Sequence, residues 1–198
     1  MKILKLLTVF LLLFTFSNNV KAQNDYRVGE LYEGYIIKKD NSREEGYIIY
    51  QNPLQRREKV IFYKNKNDKR SSKKYKPKEL NGYKVGSIEF RTIKYKMLMI
   101  KMTIFAEIVT KGHITVFNVA NNYDEIKREY NSEMILQKGD DEAVSSSKFL
   151  RFSKKMSAYI KDHKELAKKV KNKEKGYRLL SMLAIIKEYN EWYETQNK

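Results

Sequence analysis

The chain has 198 residues, with 41 lysines and arginines against 24 aspartates and glutamates, a formal net charge of +17, and no cysteine. The absence of cysteine excludes disulfides, thiolate metal sites, a thiol nucleophile and a lipid anchor on a cysteine. A hydrophobic core must therefore supply the stability of the fold, and a chain of this length can bury one.

The first predicted element is a secretory signal at residues 1–22. Two lysines give a basic start, residues 6–16 form an unbroken apolar run, and Val20-Lys21-Ala22 is a small-residue cleavage site. The apolar run is shorter than the roughly 20 residues that a membrane-spanning helix needs. We expect cleavage after Ala22 and a mature protein that is periplasmic or secreted.

A β-rich module is predicted over residues 23–142. It opens with GYIIKKDNSREEGYII, in which two β-branched and aromatic segments flank the turn residues Asp40-Asn41-Ser42. A loop of two or four residues would place Gly34 opposite Ile49, and a loop of three would pair Tyr35 with Tyr47. Alternation and turn signals predict further strands at 59–63, 87–94, 103–111, 114–119 and 133–137. About six antiparallel strands fit a rolled sheet or a small barrel.

A helical C-terminal region is predicted over residues 143–198. Its apolar residues recur at helical spacing in three runs, which begin near Ser147, Asp162 and Arg178. Asp162 and Glu165 have the spacing of a capping box that would open the second helix. The third run carries an apolar stripe that must be buried against the other helices or the sheet, formed by Leu179, Met182, Leu183, Ile186, Tyr189 and Tyr193. The fold class is therefore predicted as α+β with a three-helix tail.

Two stretches resemble a known family. They are the paired GYII hairpin, followed by a strand and the Tyr75-Lys76-Pro77 turn, and the tail HKELAKKVKNKEKGYRLLSMLAIIKEYNEWY. Together they resemble a family of uncharacterised exported proteins of Bacteroidetes-type bacteria. The resemblance implies export and this architecture, and it implies no particular activity.

Several candidate catalytic or metal sites are weak in the sequence. His113 and His163 stand alone, and Ser71 with Lys74 and Ser145 with Lys148 match S-x-x-K at the frequency that chance gives. The methionines of KMLMIKM could hold monovalent copper, but they fit an apolar strand better. The acidic turn formed by Asp140, Asp141 and Glu142 lacks the alternating spacing of calcium ligands. We predict no catalytic residue, cofactor or metal.

The segment from Arg56 to Glu79 is the one strong local signal, with eleven basic and three acidic residues around three aromatic residues. Lysine and arginine at such density favour contact with phosphate or other anionic groups. The predicted anion-binding residues are Arg56, Arg57, Lys64, Lys66, Lys69, Arg70, Lys73, Lys74 and Lys76. The expected partner is an anionic envelope component, such as lipopolysaccharide, acidic polysaccharide or nucleic acid.

These features predict an exported, non-catalytic binding or structural protein of the bacterial cell envelope. The alternative is a hydrolase-like enzyme of unrecognised type in the periplasm. A cleft that joins perturbed carboxylates or serines would favour the enzyme, whereas a flat basic face with aromatic side chains would favour binding.

Overall fold

A computed structural model describes residues 26–97 and 100–197, so the predicted signal at 1–22 lies outside the described part. One antiparallel sheet carries a helical C-terminal segment. The strands are β1 (Leu31–Ile37), β2 (Arg43–Ile49), β3 (Val60–Tyr63), β4 (Ser72–Tyr75), β5 (Gly82–Val85), β6 (Ile88–Met97), β7 (Ile100–Thr110), β8 (Ile114–Asp124), β9 (Glu129–Lys138) and β10 (Val144–Ser145). The helices are α1 (Pro53–Glu58), α2 (Phe152–Tyr159), α3 (Lys164–Lys171) and α4 (Met182–Gln196).

The strands follow the spatial order β10-β9-β8-β7-β6-β5-β1-β2-β3-β4, and the sheet is open. The α+β class is confirmed, whereas a closed small barrel and a count of about six strands are wrong, because the sheet has ten strands. The strands without a predicted counterpart are β4, β5 and β10, of four, four and two residues. β4 reads SKKY and β5 reads GYKV, so neither has the β-branched and aromatic run that marked β3, and β10 has only two residues.

The number of helices also differs from the three expected, because α1 lies within the β-rich part of the chain. Asn52 accepts a hydrogen bond from the amide of Gln55, and Pro53 occupies the first turn. This combination of a polar cap and an early proline is a normal start for a helix. Within the tail, 3-10 turns at Ser146–Phe149 and Leu179–Ser181 precede α2 and α4.

The register of the first hairpin differs from every register predicted for it. Gly34 faces Gly46 because the chain reverses over residues 38–42, a longer loop than expected. Asn41 adopts a positive φ of 66° in that loop. A side chain at Gly46 would meet the ring of Phe62, and one at Gly34 would meet the carbonyl oxygen of Lys84. The repeated GYII motif therefore places two glycines where neighbouring chain segments approach closely.

The core lies on both faces of the sheet. One face of the N-terminal half buries Ile36, Ile48, Val60, Phe62, Leu80, Tyr83, Val85, Phe90 and Phe105. The row of cross-strand neighbours Tyr83, Phe90, Glu107 and Asn118 continues this face to β8. There Ile114, Val116 and Leu136 pack against α2, α3 and α4. The opposite face of the C-terminal half buries Ile93, Tyr95, Ile104, Ala106, Phe117, Val119, Ile135 and Ala143.

The apolar stripe predicted for the last helix is only partly buried. Met182, Ile186 and Tyr189 are buried, but Leu179 and Leu183 are 55% and 41% exposed. The stripe is displaced because α4 begins at Met182, after the 3-10 turn. The described residues, 26–97 and 100–197, contain no helix both long and apolar enough to span a bilayer.

Candidate functional site

The predicted basic segment builds one end of the sheet. Its strands β3 and β4 form a hairpin, and β4 is the last strand in the spatial order. The connecting turn is closed by Asp68, which accepts a hydrogen bond from the amide of Arg70 over 2.9 Å. The hydroxyl of Ser71 donates to the backbone carbonyl oxygens of Asp68 and Asn65. These local hydrogen bonds fix the backbone of the turn, and the cationic residues of the segment therefore lie together at one edge of the sheet.

Seven of the nine predicted residues are exposed at this edge, and we call them the basic edge: Lys64, Lys66, Lys69, Arg70, Lys73, Lys74 and Lys76. Among residues 26–97 and 100–197, no salt bridge joins any of the seven to a carboxylate. The nearby carboxylates of Asp68 and Glu79 instead accept hydrogen bonds from backbone amides. The seven cations of the basic edge therefore face solvent without forming an ion pair in the described part of the chain.

Arg56 and Arg57, the other two predicted residues, lie apart from this surface. Arg56 is only 9% exposed, and its Nη1 donates to the hydroxyl of Tyr50 over 3.0 Å. Nη1 of Arg57 donates to the carbonyl oxygen of Ala120 over 2.6 Å. Both side chains turn toward the sheet because α1 lies across it. The charge count of the segment could not distinguish these inward residues from the outward ones.

An outer face of three half-buried tyrosines, Tyr35, Tyr47 and Tyr63, adjoins the basic edge. Tyr47 faces Tyr63 across β2 and β3, and the strand register places Tyr35 on the same side. The guanidinium carbon of Arg43 lies 4.7 Å from the ring centroid of Tyr35. Lys66 Nζ lies 6.0 Å from that of Tyr47. We call this surface the outer tyrosine face, and it combines aromatic rings with cations, as protein surfaces that bind single-stranded nucleic acid do.

A second cationic surface lies on the tail and was missed in the sequence. A groove of about 780 Å³ runs between α2 and α3, over the small side chains of Ala158 and Ala167. Exposed lysines border it at positions 154, 161, 164, 168 and 171. Helical spacing of the lysines was the available signal, because positions 164, 168 and 171 share one helix face. We call this surface the helical lysine groove.

A small cavity lies between α1 and the sheet. Its volume is about 120 Å³, and its lining includes Arg56, Arg57 and Glu107. Burial raises the pKa of Glu107 above its ordinary value, although the guanidinium of Arg56 pulls it down. The Nε atoms of Arg56 and Arg57 are buried and have no hydrogen-bond partner among the described residues. Neither the arginines nor Glu107 carried a sequence signal for a shared cavity, because β7 follows α1 by more than forty residues.

The two histidines pack on neighbouring aromatic residues of α4. The ring of His113 stacks on Tyr193 with centroids 3.6 Å apart, and His163 stacks on Trp192 at 4.5 Å. Burial, with the nearby charge of Lys138, lowers the pKa of His113. The His113 contact thus joins the tail to the sheet, whereas the His163 contact joins α4 to the start of α3 within the tail.

Neither S-x-x-K pair is assembled in the described part of the chain. The hydroxyl of Ser71 bonds to backbone carbonyl oxygens, as described above. The hydroxyl of Ser145 is held by the carboxylate of Glu133 and lies 3.0 Å from the amide of Ser147, whereas Lys148 is exposed. A serine that donates to a carboxylate and caps a turn is placed as a structural residue.

The remaining candidates lie on the C-terminal half of the sheet. Met102 packs at the margin of the cluster around Tyr95, while Leu98, Met99 and the side chain of Met97 lie outside the described residues. The turn of Asp140, Asp141 and Glu142 is exposed. No group of three or more histidine, aspartate or glutamate side chains among residues 26–97 and 100–197 could hold a metal ion.

Comparison of the chain with protein families, with curated proteins and with solved structures finds no match. The geometry of the surfaces above is therefore the basis for a functional proposal.

Proposed function

We propose that this protein is a non-catalytic binding component of the bacterial cell envelope. Its partner is a polymer that repeats anionic groups along a chain of rings, either sugar rings, as in the carbohydrate of lipopolysaccharide or an acidic polysaccharide, or the bases of a nucleic acid. The basic edge contacts the anionic groups, and the outer tyrosine face packs on the rings. Export rests on the signal-like residues 1–22 and on the resemblance to exported proteins.

The observation that carries the proposal is the set of seven exposed cations on and beside one short hairpin, none of which forms an ion pair with a carboxylate of residues 26–97 and 100–197. Surface cations that are not paired with carboxylates can neutralise the charges of an anionic polymer, and the release of the small cations condensed on that polymer favours binding. Lys74 supports a shared surface, because it faces Ile61 on the side of the sheet that carries Tyr63. One polymer could thus contact the edge and the tyrosines together.

Lysines on an edge strand also have a competing explanation, because they prevent sheets from pairing edge to edge. That role needs charge on β4 itself, where Lys73 and Lys74 lie. It does not account for Lys64, Lys66, Lys69 and Arg70, which precede the strand. The cations outside β4 favour ligand contact. A variant that neutralises only Lys73 and Lys74 separates ligand contact from protection of the sheet edge, because it leaves those other cations in place.

The hydrolase-like alternative has less support. It would centre on Glu107, whose buried carboxylate has a raised pKa. Acid–base catalysis by such a group also requires a nucleophile or a positioned water within hydrogen-bond reach of substrate. The cavity beside Glu107 measures about 120 Å³, whereas pockets for drug-sized ligands typically reach about 300–1,000 Å³.

Charge reversal tests the proposal. The variant Lys64→Glu, Lys73→Glu, Lys74→Glu should lose binding to heparin, lipopolysaccharide or single-stranded DNA at physiological ionic strength. The matched control reverses Lys96, Lys155 and Lys175, three exposed lysines outside both cationic surfaces. A third variant reverses Lys161, Lys164 and Lys168 in the helical lysine groove.

Loss in the first variant alone supports the basic edge. Equal loss in all three would show bulk attraction by net charge, and loss in the third alone would move the site to the tail. Export is tested separately by the intact mass of the secreted protein, which should begin at Gln23. Protein that keeps residues 1–22 and fractionates with membranes would contradict the localisation.

A further inference from the structure

The cavity between α1 and the sheet is independent of the basic edge and has its own chemistry. It is enclosed by α1 on one side and by neighbouring residues of β6, β7, β8 and β9 on the other. Phe90, Glu107 and Asn118 form one cross-strand row across its floor. The remaining lining residues are Pro53, Arg56, Arg57, Phe105, Val119, Ala120, Tyr130 and Ser132.

Two permanent cations line this cavity. The Arg56 residue is 9% exposed, and the Arg57 side chain is 14% exposed. Their Nη1 groups are occupied by Tyr50 and Ala120, and Nη2 of Arg57 lies 3.6 Å from Glu58. The Nε–H donors of both arginines are buried and have no hydrogen-bond partner among the described residues. A guanidinium uses Nε–H with a neighbouring Nη to hold an oxyanion side-on.

Arg57 has Glu58 as an ion-pair partner, whereas Arg56 has no carboxylate partner among residues 26–97 and 100–197. The carboxylate of Glu107 is more than 4 Å from both guanidinium groups, because the described residues show no salt bridge between them. A buried donor without a partner destabilises the fold, and more so when the group is charged. A ligand that accepts hydrogen bonds from both Nε atoms and brings negative charge would remove that destabilisation.

Size limits the ligand to one small group. Its volume of about 120 Å³ is well below the roughly 300–1,000 Å³ of pockets that hold drug-sized ligands. We propose that this cavity binds a single small oxyanion, a sulfate, phosphate or carboxylate group, between Arg56 and Arg57.

Glu107 makes this binding depend on pH. When ionised, its carboxylate repels an oxyanion, and when protonated it can donate a hydrogen bond to one. The other titratable or charged groups near the site are Arg56, Arg57 and Glu58 from α1, Tyr50 before α1, Tyr83 from β5 and Tyr130 from β9. Oxyanion binding should therefore strengthen as pH falls toward the range in which Glu107 takes up its proton.

Calorimetric titration with sodium sulfate tests the site, because sulfate keeps its charge between pH 5 and 8. Sodium chloride holds the ionic strength constant, and sulfate stays below about 10 mM so that its general stabilising effect is small. We expect saturable binding of one sulfate, tighter at pH 5.5 than at pH 8. Arg57→Gln should weaken it at least about tenfold, since a hydrogen bond to a charged group contributes about 1.5–3 kcal/mol.

Three variants complete the test. Arg151→Gln, an exposed arginine outside the cavity, should bind sulfate as the natural protein does. Glu107→Gln should bind sulfate at pH 8 more tightly than the natural protein does at pH 8, with no remaining pH dependence. The basic-edge reversal of Lys64, Lys73 and Lys74 should leave sulfate binding unchanged. A failure of the polymer proposal can therefore be told apart from a failure of the sulfate proposal.

Absence of saturable binding would overturn the proposal. So would an Arg57→Gln variant that binds like the natural protein, or a pH dependence that persists in Glu107→Gln. If circular dichroism shows that the Arg57→Gln variant is unfolded, the proposal is judged by the sulfate titration of Glu107→Gln alone. Parallel titrations with phosphate and acetate then rank the oxyanions by geometry.

Discussion

The side chain of Asn190 holds both backbone hydrogen-bonding groups of Ile114. Its Oδ1 accepts from the Ile114 amide over 2.8 Å, and its Nδ2 donates to the Ile114 carbonyl oxygen over 2.9 Å. Asn190 is only 5% exposed. The last helix is thus joined to the first residue of β8 by a polar contact within an otherwise apolar interface.

We expect Asn190→Leu to lower the free energy of unfolding by about 2–4 kcal/mol, because two buried backbone groups would lose their partners. Urea unfolding measures the change. Asn197→Leu, at the exposed end of α4, is the control and should change stability by less than about 0.5 kcal/mol. An unchanged midpoint for Asn190→Leu would show that water replaces the amide at no cost.

The helical tail should be required for the stability of the sheet. Ile114, Val116 and Leu136 are fully buried in a cluster shared with the tail. A fragment of residues 23–141 exposes them, so we expect it to unfold at a lower urea concentration than the mature protein and to bind a hydrophobic dye. Equal midpoints would indicate two independent domains, divided near the predicted boundary at residue 142.

The sequence predicts the long strands and the tail helices well, because these elements bury one face and so repeat at period 2 or 3.6. The sequence does not predict which strands pair with each other. β1 pairs with β5, which lies more than forty residues away in the chain, and no local sequence pattern indicates this pairing. Asp162 illustrates the same limit, because it was expected to cap α3 but bonds to Lys138 and Tyr189 instead.

The candidate sites follow the same rule. The exposed lysines of the basic edge were predictable, since a run of cations around a turn is a local signal. The inward direction of Arg56 and Arg57 depends on where α1 packs, and the approach of Glu107 depends on the path of β7. The spacing of nearby residues in the sequence predicts neither the packing of α1 nor the path of β7.

Stability should depend on pH through Asp162. Burial raises the pKa of its carboxyl, but hydrogen bonds from Lys138 and Tyr189 outweigh burial, so the pKa lies below its ordinary value of 3.8. A carboxylate with a lowered pKa stabilises the fold above its unfolded value, and this stabilisation disappears as pH falls through the folded value.

Asp162→Asn should therefore lower the urea midpoint at pH 7, and the difference from the natural protein should shrink below pH 3.8. Paired unfolding curves at pH 7 and pH 3 measure the effect. Asp140→Asn, in an exposed turn, is the control. An equal difference at both pH values would mean that the variant acts through packing rather than charge.

The dependence of polymer affinity on salt concentration should show how many anionic groups the basic edge contacts. Each phosphate neutralised on duplex DNA contributes about −0.9 to the slope of log affinity against log salt. Neutralising Lys64, Lys73 and Lys74 with glutamine should therefore make the slope shallower by up to about 2.7. Fluorescence anisotropy with a short labelled duplex between about 50 and 300 mM salt gives both slopes. Glutamine at Lys96, Lys155 and Lys175 removes the same charge elsewhere and should leave the slope unchanged. Parallel lines for the natural protein and the basic-edge variant would place the contacts on another surface, with the helical lysine groove as the next to be neutralised.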